Sequence, residues 1–351
     1  MPETEDLDLV APEALARWMD AQGLPGAGEP VRDVSQLSGG AANVIFRLRR
    51  GPHEMVLRRP PRHPRPNSNR TMLREARVLA ALRDTPVPHP RLIACCEDPD
   101  LIGATFYLME PIEGFNPVGE LPEPFRSDAS ARRRMGFELV DAIARLACVD
   151  YRAVGLEGFG KPDSFLERQV SRWRSQLESY RELDGYDVRV LPGFEEVASW
   201  LENNLPMDFR PGILHGDYQF ANVMFAHDRP ELLAVIDWEL STVGDPLLDL
   251  GWILCTWRDP GETETATSYL HPWRDFPTRA ELIERYLSVT DRDPRAVGYF
   301  RVLGCYKLGI LLEGNYARGL AGLADREAGE MMGRVTVSLF EQAHELVRQA
   351  A

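Results

Sequence analysis

A chain of 351 residues exceeds one ordinary compact core and is long enough for two lobes, each burying its own apolar interior. The formal net charge of −14 argues against general nucleic-acid binding, but it is uneven: Arg47 to Arg91 holds twelve Arg, no Lys and three acids, about +9, against about −23 elsewhere. The five cysteines (Cys95, Cys96, Cys148, Cys255, Cys305) show no C-x-x-C spacing, the start MPETEDLDLV is acidic where a secretory signal is basic then apolar, and no apolar run reaches spanning length, so a cytoplasmic protein without a membrane span is expected.

In chain order, PEALARWMDAQG predicts a short amphipathic helix closed by Gly23. VRDVSQL, NVIFRLRR and EMVLRR read as strands separated by glycine turns. SNRTMLREARVLAAL has helical periodicity, with Ser68 or Asn69 as its cap. RLIACCE and ATFYLME add two buried strands, and PIEGFNP breaks the pattern, so a five-stranded unit with one helix ends near Glu110. The proline-rich RRPPRHPRPNSNR, Arg58 to Arg70, is expected to be a mobile loop. Beyond it, long helices are expected over Arg126 to Asp150, Ser164 to Tyr180, Phe194 to Asn204 and Pro294 to Ala321.

LHGDYQFANVMF, Leu214 to Phe225, interrupts those helices and is followed by VIDWELSTVGDPLLDLGW. Phosphoryl transfer asks a protein to hold magnesium on a triphosphate and to orient the attacking hydroxyl. A carboxylate facing the hydroxyl can take its proton, and a carboxylate plus an amide oxygen make a partial hard-oxygen shell for Mg²⁺. The spacing D-x-x-x-x-N of Asp217 and Asn222 spans a tight loop entering a strand, and Asp237 ends the next strand, so the three are expected to converge. Each alone has a plainer reading: a loop Asp is most often a turn or cap residue, and a single His such as His215 most often a hydrogen-bonded structural side chain.

The combined pattern L-H-G-D-x-x-x-x-N-V-x-F, V-I-D-W-E and G-D-P-x-x-D-L-G resembles the aminoglycoside phosphotransferase and choline kinase-like family, from about Leu37 to Phe340. The resemblance implies an α+β, bilobal protein kinase-like fold. A small antiparallel β-sheet lobe for nucleotide would occupy 1–110, and a larger, mainly helical lobe with the catalytic loop, metal site and acceptor pocket 111–351. It further implies an ATP-dependent O-phosphotransferase acting on a hydroxylated small molecule. Asp217 is then the catalytic base, Asn222 and Asp237 the Mg²⁺ ligands, His215 a brace of the catalytic loop, and Asp245 and Asp249 supporting acids of structural rather than chemical use. A protein-kinase reading fails on length: there is no room for a peptide-binding activation segment between Asp237 and Gly244, and Gly216 stands where a phosphorylation-sensing arginine would.

By the same resemblance LSGGAAN supplies the ATP cradle, with Ser38, Gly39, Gly40 and Asn43 offering backbone approach to phosphate. The usual lysine of the following strand is missing, since the chain has only Lys161 and Lys307. Arg58 is the candidate cation and Glu75 its partner. FYLMEPIEG resembles the hinge, where Glu110 and Ile112 present backbone groups to adenine. Arg58 in place of lysine also motivates an alternative of another class, a catalytically silent, nucleotide-binding pseudokinase acting as sensor or scaffold.

Two acceptor classes stay open. The acidic second lobe would steer polycationic aminoglycosides. Against that, Lys307, Gly314 and Arg318 fall on one face of GCYKLGILLEGNYARGLAG, and this stretch resembles the branch of the family joined to acyl-CoA dehydrogenases, which implies hydroxyacyl-CoA-type acceptors contacted by Lys307 and Arg318. The plainer reading is that both cations snorkel over a core helix.

Overall fold

In Val44–Arg50 every second side chain (Val44, Phe46, Leu48) is apolar and buried, the signature of a strand with one face on a core. In the computed structural model, which describes residues 6–37, 43–262 and 270–350, this segment is β2 of a five-stranded antiparallel sheet. The others are β1 (Val31–Leu37), β3 (His53–Arg59), β4 (Leu92–Cys96) and β5 (Phe106–Met109), in spatial order β1-β2-β3-β5-β4. Phe46, Leu48, Met55, Leu57, Phe106 and Leu108 bury one face against Leu15 and Met19 of α1 (Pro12–Ala21). Helix α2 (Ser68–Leu82) packs against β4, β5 and the short turn Trp238–Leu240. These elements form the first of two units, Met1–Gly114 with Arg152–Leu156 and Leu233–Ser241.

Three arginines of the arginine-rich stretch, Arg50, Arg58 and Arg59, are buried inside this unit. Arg50 is fully buried and donates to the Glu29 carbonyl at 2.9 Å and to Asp20. Arg59 is buried and donates to the carbonyls of Ile102, at 2.8 Å, and Leu9. A buried guanidinium without such partners would cost several kcal/mol, roughly, so Arg50 and Arg59 are structural rather than a polyanion-binding patch. Arg62 pairs with Asp6 at 3.0 Å and Asp8 at 2.6 Å. The Arg58–Arg70 loop is correspondingly shorter than expected: β3 runs through Arg59, Pro60 and Pro61 end it, and α2 begins at Ser68. The N-cap of α2 is Asn67, and the Asn69 side chain instead accepts from the Thr105 N–H at 3.2 Å.

The second unit comprises Phe115–Tyr151, Glu157–Leu232 and Thr242–Ala351. Helix α3 (Ala129–Ala147) starts where Asp128 accepts from Ser130 and Ala131 backbone N–H groups. It is followed by α4 (Gln169–Ser179), α5 (Phe194–Asn203), α6 (Leu247–Thr256), α7 (Arg279–Thr290), α8 (Val297–Leu320) and α9 (Arg326–Ala350). Short strands complete the chain: β6 (Gly119–Glu120), β7 (Gly212–Leu214), β8 (Val223–Phe225), β9 (Leu232–Val235), β10 (Thr242–Gly244) and β11 (Leu270–His271). Of these, β7 pairs antiparallel with β10 and β6 parallel with β11.

The expected helices match α3, α4, α5 and α8, with α4 starting five residues late. Helices α6, α7 and α9 lie outside those expectations, although Thr278 and Glu281 form a reciprocal capping box at the start of α7. No helix among the described residues is long and apolar enough to cross a membrane.

Candidate active site

Two constellations carry the candidate chemistry, one in each unit. In the second unit, Leu214 is held by its pairing with Thr242, and the chain then turns through His215–Gln219 into a short helical turn, Phe220–Asn222, ahead of β8. Gly216 has φ +87°, which a side chain would strain, and this lets the loop reverse just before Asp217. The Asn222 amide nitrogen donates to the Asp217 carboxylate at 2.9 Å and to its carbonyl at 2.8 Å. Gln219 donates to the other carboxylate oxygen, also at 2.8 Å. Asp217, half-buried, is thus held at both oxygens, and the D-x-x-x-x-N spacing brings its two ends together.

Asp249, buried on α6, accepts from the backbone N–H groups of His215 at 2.7 Å and Gly216 at 2.9 Å. Burial pushes its carboxyl up, with His215 and these backbone donors pulling the other way. The fully buried His215 ring accepts from the Asp217 N–H at 3.3 Å. Asp245 pairs with Arg292 at 3.0 Å and accepts from the Leu247 N–H, so both acids act on backbone or arginine. Asn116, from the segment read as a mere break, donates to the carbonyls of Phe220, Ala221 and Val223 at 3.3, 2.7 and 3.0 Å and braces the loop from outside. A lone Asn after aromatic Phe115 carries no sequence signal for such a role.

Lys307 departs from expectation. Helices α6 and α8 cross backbone to backbone, where a Cβ on Gly251 would stand 2.1 Å from the Phe300 carbonyl oxygen. That approach carries Lys307 inward, between the rings of Trp252 (4.4 Å) and Trp173 (5.6 Å), with its ammonium donating to the Gly216 carbonyl. It neither snorkels nor offers a cation to an acceptor. Arg318, further along α8, is half-buried and donates to the Leu323 carbonyl at 3.4 Å.

In the first unit, Arg58 on β3 lies opposite Tyr107 on β5. Its Nε is 3.0 Å from Glu75 of α2, and its Nη2 donates to Asp237 at 2.6 Å. The Tyr107 hydroxyl donates to the same Glu75 oxygen at 2.9 Å. Burial alone would lower the Arg58 pKa, but the charges of Glu75 and Asp237 outweigh it and keep it fully cationic. Burial pushes Glu75 up to about 7 against the pull of Arg58. Asp237 sits in the left-handed region at φ +64°. Carboxylate oxygens of Glu75, Asp237 and Glu239 lie within 4.8 Å of one another.

Ser38, Gly39 and Gly40 lie outside the described residues. Asn43 is half-buried at the entry to β2. The Glu110 N–H donates to the Arg91 carbonyl at 2.9 Å, so its carbonyl is the group it could present to a base, and Ile112 is half-buried.

Residues 33–283 match the sequence profile of APH, the phosphotransferase enzyme family. The chain belongs to that family. It is 31% identical over 342 residues to acyl-CoA dehydrogenase family member 11 of Gallus gallus, covering 93% of this chain but 42% of that protein. The chain therefore spans less than half the length of the curated relatives it matches. A Ralstonia eutropha JMP134 protein assigned as an aminoglycoside phosphotransferase is 28% identical with a TM-score of 0.81, covering 96% of this chain and 98% of that one. A thermostable mutant of aminoglycoside phosphotransferase APH(4)-Ia, solved with AMP-PNP and hygromycin B, shares the fold at 16% identity and TM-score 0.59, covering 96% of this chain and 99% of the other. The α+β family fold, a five-stranded antiparallel sheet followed by a mainly helical part, is what the chain adopts.

Proposed function

We propose that the protein transfers the γ-phosphoryl group of Mg·ATP to a hydroxyl of a small molecule. The observation that carries this reading is the Asp217–Asn222 pair: one loop holds a carboxylate by both oxygens and leaves the Asn222 amide oxygen as a hard donor. In the proposed step the acceptor oxygen bonds to the γ-phosphorus, the bond to the ADP oxygen breaks, and Asp217 takes the hydroxyl proton. The all-oxygen cluster around Asp237 in the first unit suits Mg²⁺, and Asp237 and Asn222 are the proposed ligands. When bound, the metal would offset charge on the phosphate oxygens. Arg58 is the proposed phosphate contact in place of lysine, oriented by Glu75. His215 and Asp249 shape the loop rather than touch substrate. ADP release over a panel of hydroxylated acceptors, beside Mg·AMP-PNP binding, tests the reading. Binding without turnover on any acceptor would favour the silent pseudokinase, a reading that draws on Arg58 being engaged by both Glu75 and Asp237.

Arg58→Ala is expected to lose most activity and Arg58→Lys to keep part of it. The Ala variant also strands Glu75 in a buried site, at a cost of about 3–5 kcal/mol, so thermal melting should fall with it. An Ala variant with parent-like turnover and melting would return Arg58 to a bystander.

For the acceptor, we propose an acyl-bearing hydroxylated compound over an aminoglycoside. The relatives named as acyl-CoA dehydrogenases support this. With Lys307 buried, Arg318 is the remaining candidate cation of the original pair. Hydroxyacyl-CoA compounds are expected to turn over faster than kanamycin-type acceptors at matched low ionic strength, with an advantage that shrinks in Arg318→Ala. Faster kanamycin turnover would overturn it.

A further inference from the structure

We propose that Lys307 is a positioning residue that clamps the catalytic loop from beneath. The inference rests on the kinase reading for its catalytic consequence and on geometry for the clamp itself. The two peptide groups that flank the Gly216 Cα are each held: the N–H of the 215–216 peptide donates to Asp249 of α6, and the carbonyl of the 216–217 peptide accepts from Lys307 of α8. The 216–217 peptide is fixed at its carbonyl by Lys307 and at its N–H by the His215 ring, which sets the backbone direction into Asp217. Buried lysine is costly, and of the two lysines in the chain this one is buried beneath the loop.

The surroundings offset that cost specifically. Asp249 on α6 and Asp217 on the loop are the anions facing the ammonium, Trp252 and Trp173 present their rings to it, and Arg172 on α4 is the opposing cation. Burial lowers its pKa to about 8, with both aspartates holding it up. Since the Gly251 and Gly304 crossing sets how close α8 runs to α6, the clamp is built into that helix contact: a Cβ at Gly304 would stand 2.9 Å from the Gly251 backbone. The backbone of His215 and Gly216 is therefore oriented by Asp249 and Lys307 together, while Gln219 fixes the Asp217 carboxylate and Asn222 both that carboxylate and the Asp217 carbonyl.

The test pairs hydrogen exchange of the peptide covering 212–222 with steady-state kinetics on the full chain, in the parent, Lys307→Met and Lys307→Gln. Exchange in that peptide is expected to rise more than tenfold in Lys307→Met, with the α3, α5 and α9 peptides unchanged. Turnover is expected to drop about 10- to 100-fold, while KM for Mg·ATP stays within about twofold. Lys307→Gln, close in size and still a donor, is expected to recover part of both, and it decides the matter should the Met variant not fold. Loop exchange equal to the parent's, an equal rise across all helices, or failure of both variants to fold would each overturn the clamp, the last two because Lys307 would then serve the fold at large. A parent that binds Mg·AMP-PNP but phosphorylates no acceptor defeats the kinase reading, and the exchange arm still decides whether Lys307 holds the loop.

Discussion

Asp217→Asn is expected to lower turnover by about two to four orders of magnitude, the range for removing a positioned general base, while Mg·ATP affinity changes little. The substitution keeps size and shape but removes the proton acceptor. It also opposes amide to amide, because Gln219 and Asn222 both donate to the present carboxylate at 2.8 and 2.9 Å. At least one of these bonds must be lost or turned round. Hydrogen bonds to a charged partner contribute about 1.5–3 kcal/mol when buried, and less at this half-buried position, so a small drop in melting temperature should accompany the loss of rate. Single-turnover kinetics separate the two effects. A variant within tenfold of the parent would remove Asp217 from the role of base.

Asp237→Ala should abolish activity by a different route. It takes a charged oxygen ligand from the first unit's carboxylate cluster, so the magnesium dependence of nucleotide binding is expected to collapse together with turnover. It also releases Arg58 from its 2.6 Å bond, while the 3.0 Å contact with Glu75 remains. Asn222→Ala should follow the same direction more mildly, because an amide oxygen carries no net charge. Titration of Mg²⁺ against AMP-PNP binding in both variants is the measurement. Curves that superimpose on the parent's would put the metal elsewhere.

What the sequence determined by itself is local. Alternating burial makes β2 legible, the period of SNRTMLREARVLAAL makes α2 legible, and a five-residue spacing brings Asn222 back to Asp217 because both ends sit in one tight loop. The pairing of Arg58 with Glu75 was implied by the family resemblance, in which a strand cation is held by a helix glutamate, and the two lie 3.0 Å apart. Helix α6 escaped because Leu247–Cys255 is buried on all sides and shows no period; α7 carried a capping box that marks its start, and α9 runs unbroken through Gly329 and Gly333, two residues of low helix propensity near its start.

Only the tertiary structure decided which polar groups are buried and against what. Lys307 lies 91 residues from the carbonyl it holds, Asp249 lies 33 from the Gly216 N–H, and Asn116 lies 104 to 107 from the carbonyls it braces. A helical wheel places Lys307 and Arg318 on one face but cannot say what faces them. That depends on how closely two backbones approach at Gly251 and Gly304, and burial at such a crossing turned a cation expected to meet an acceptor into one that holds the peptide before Asp217.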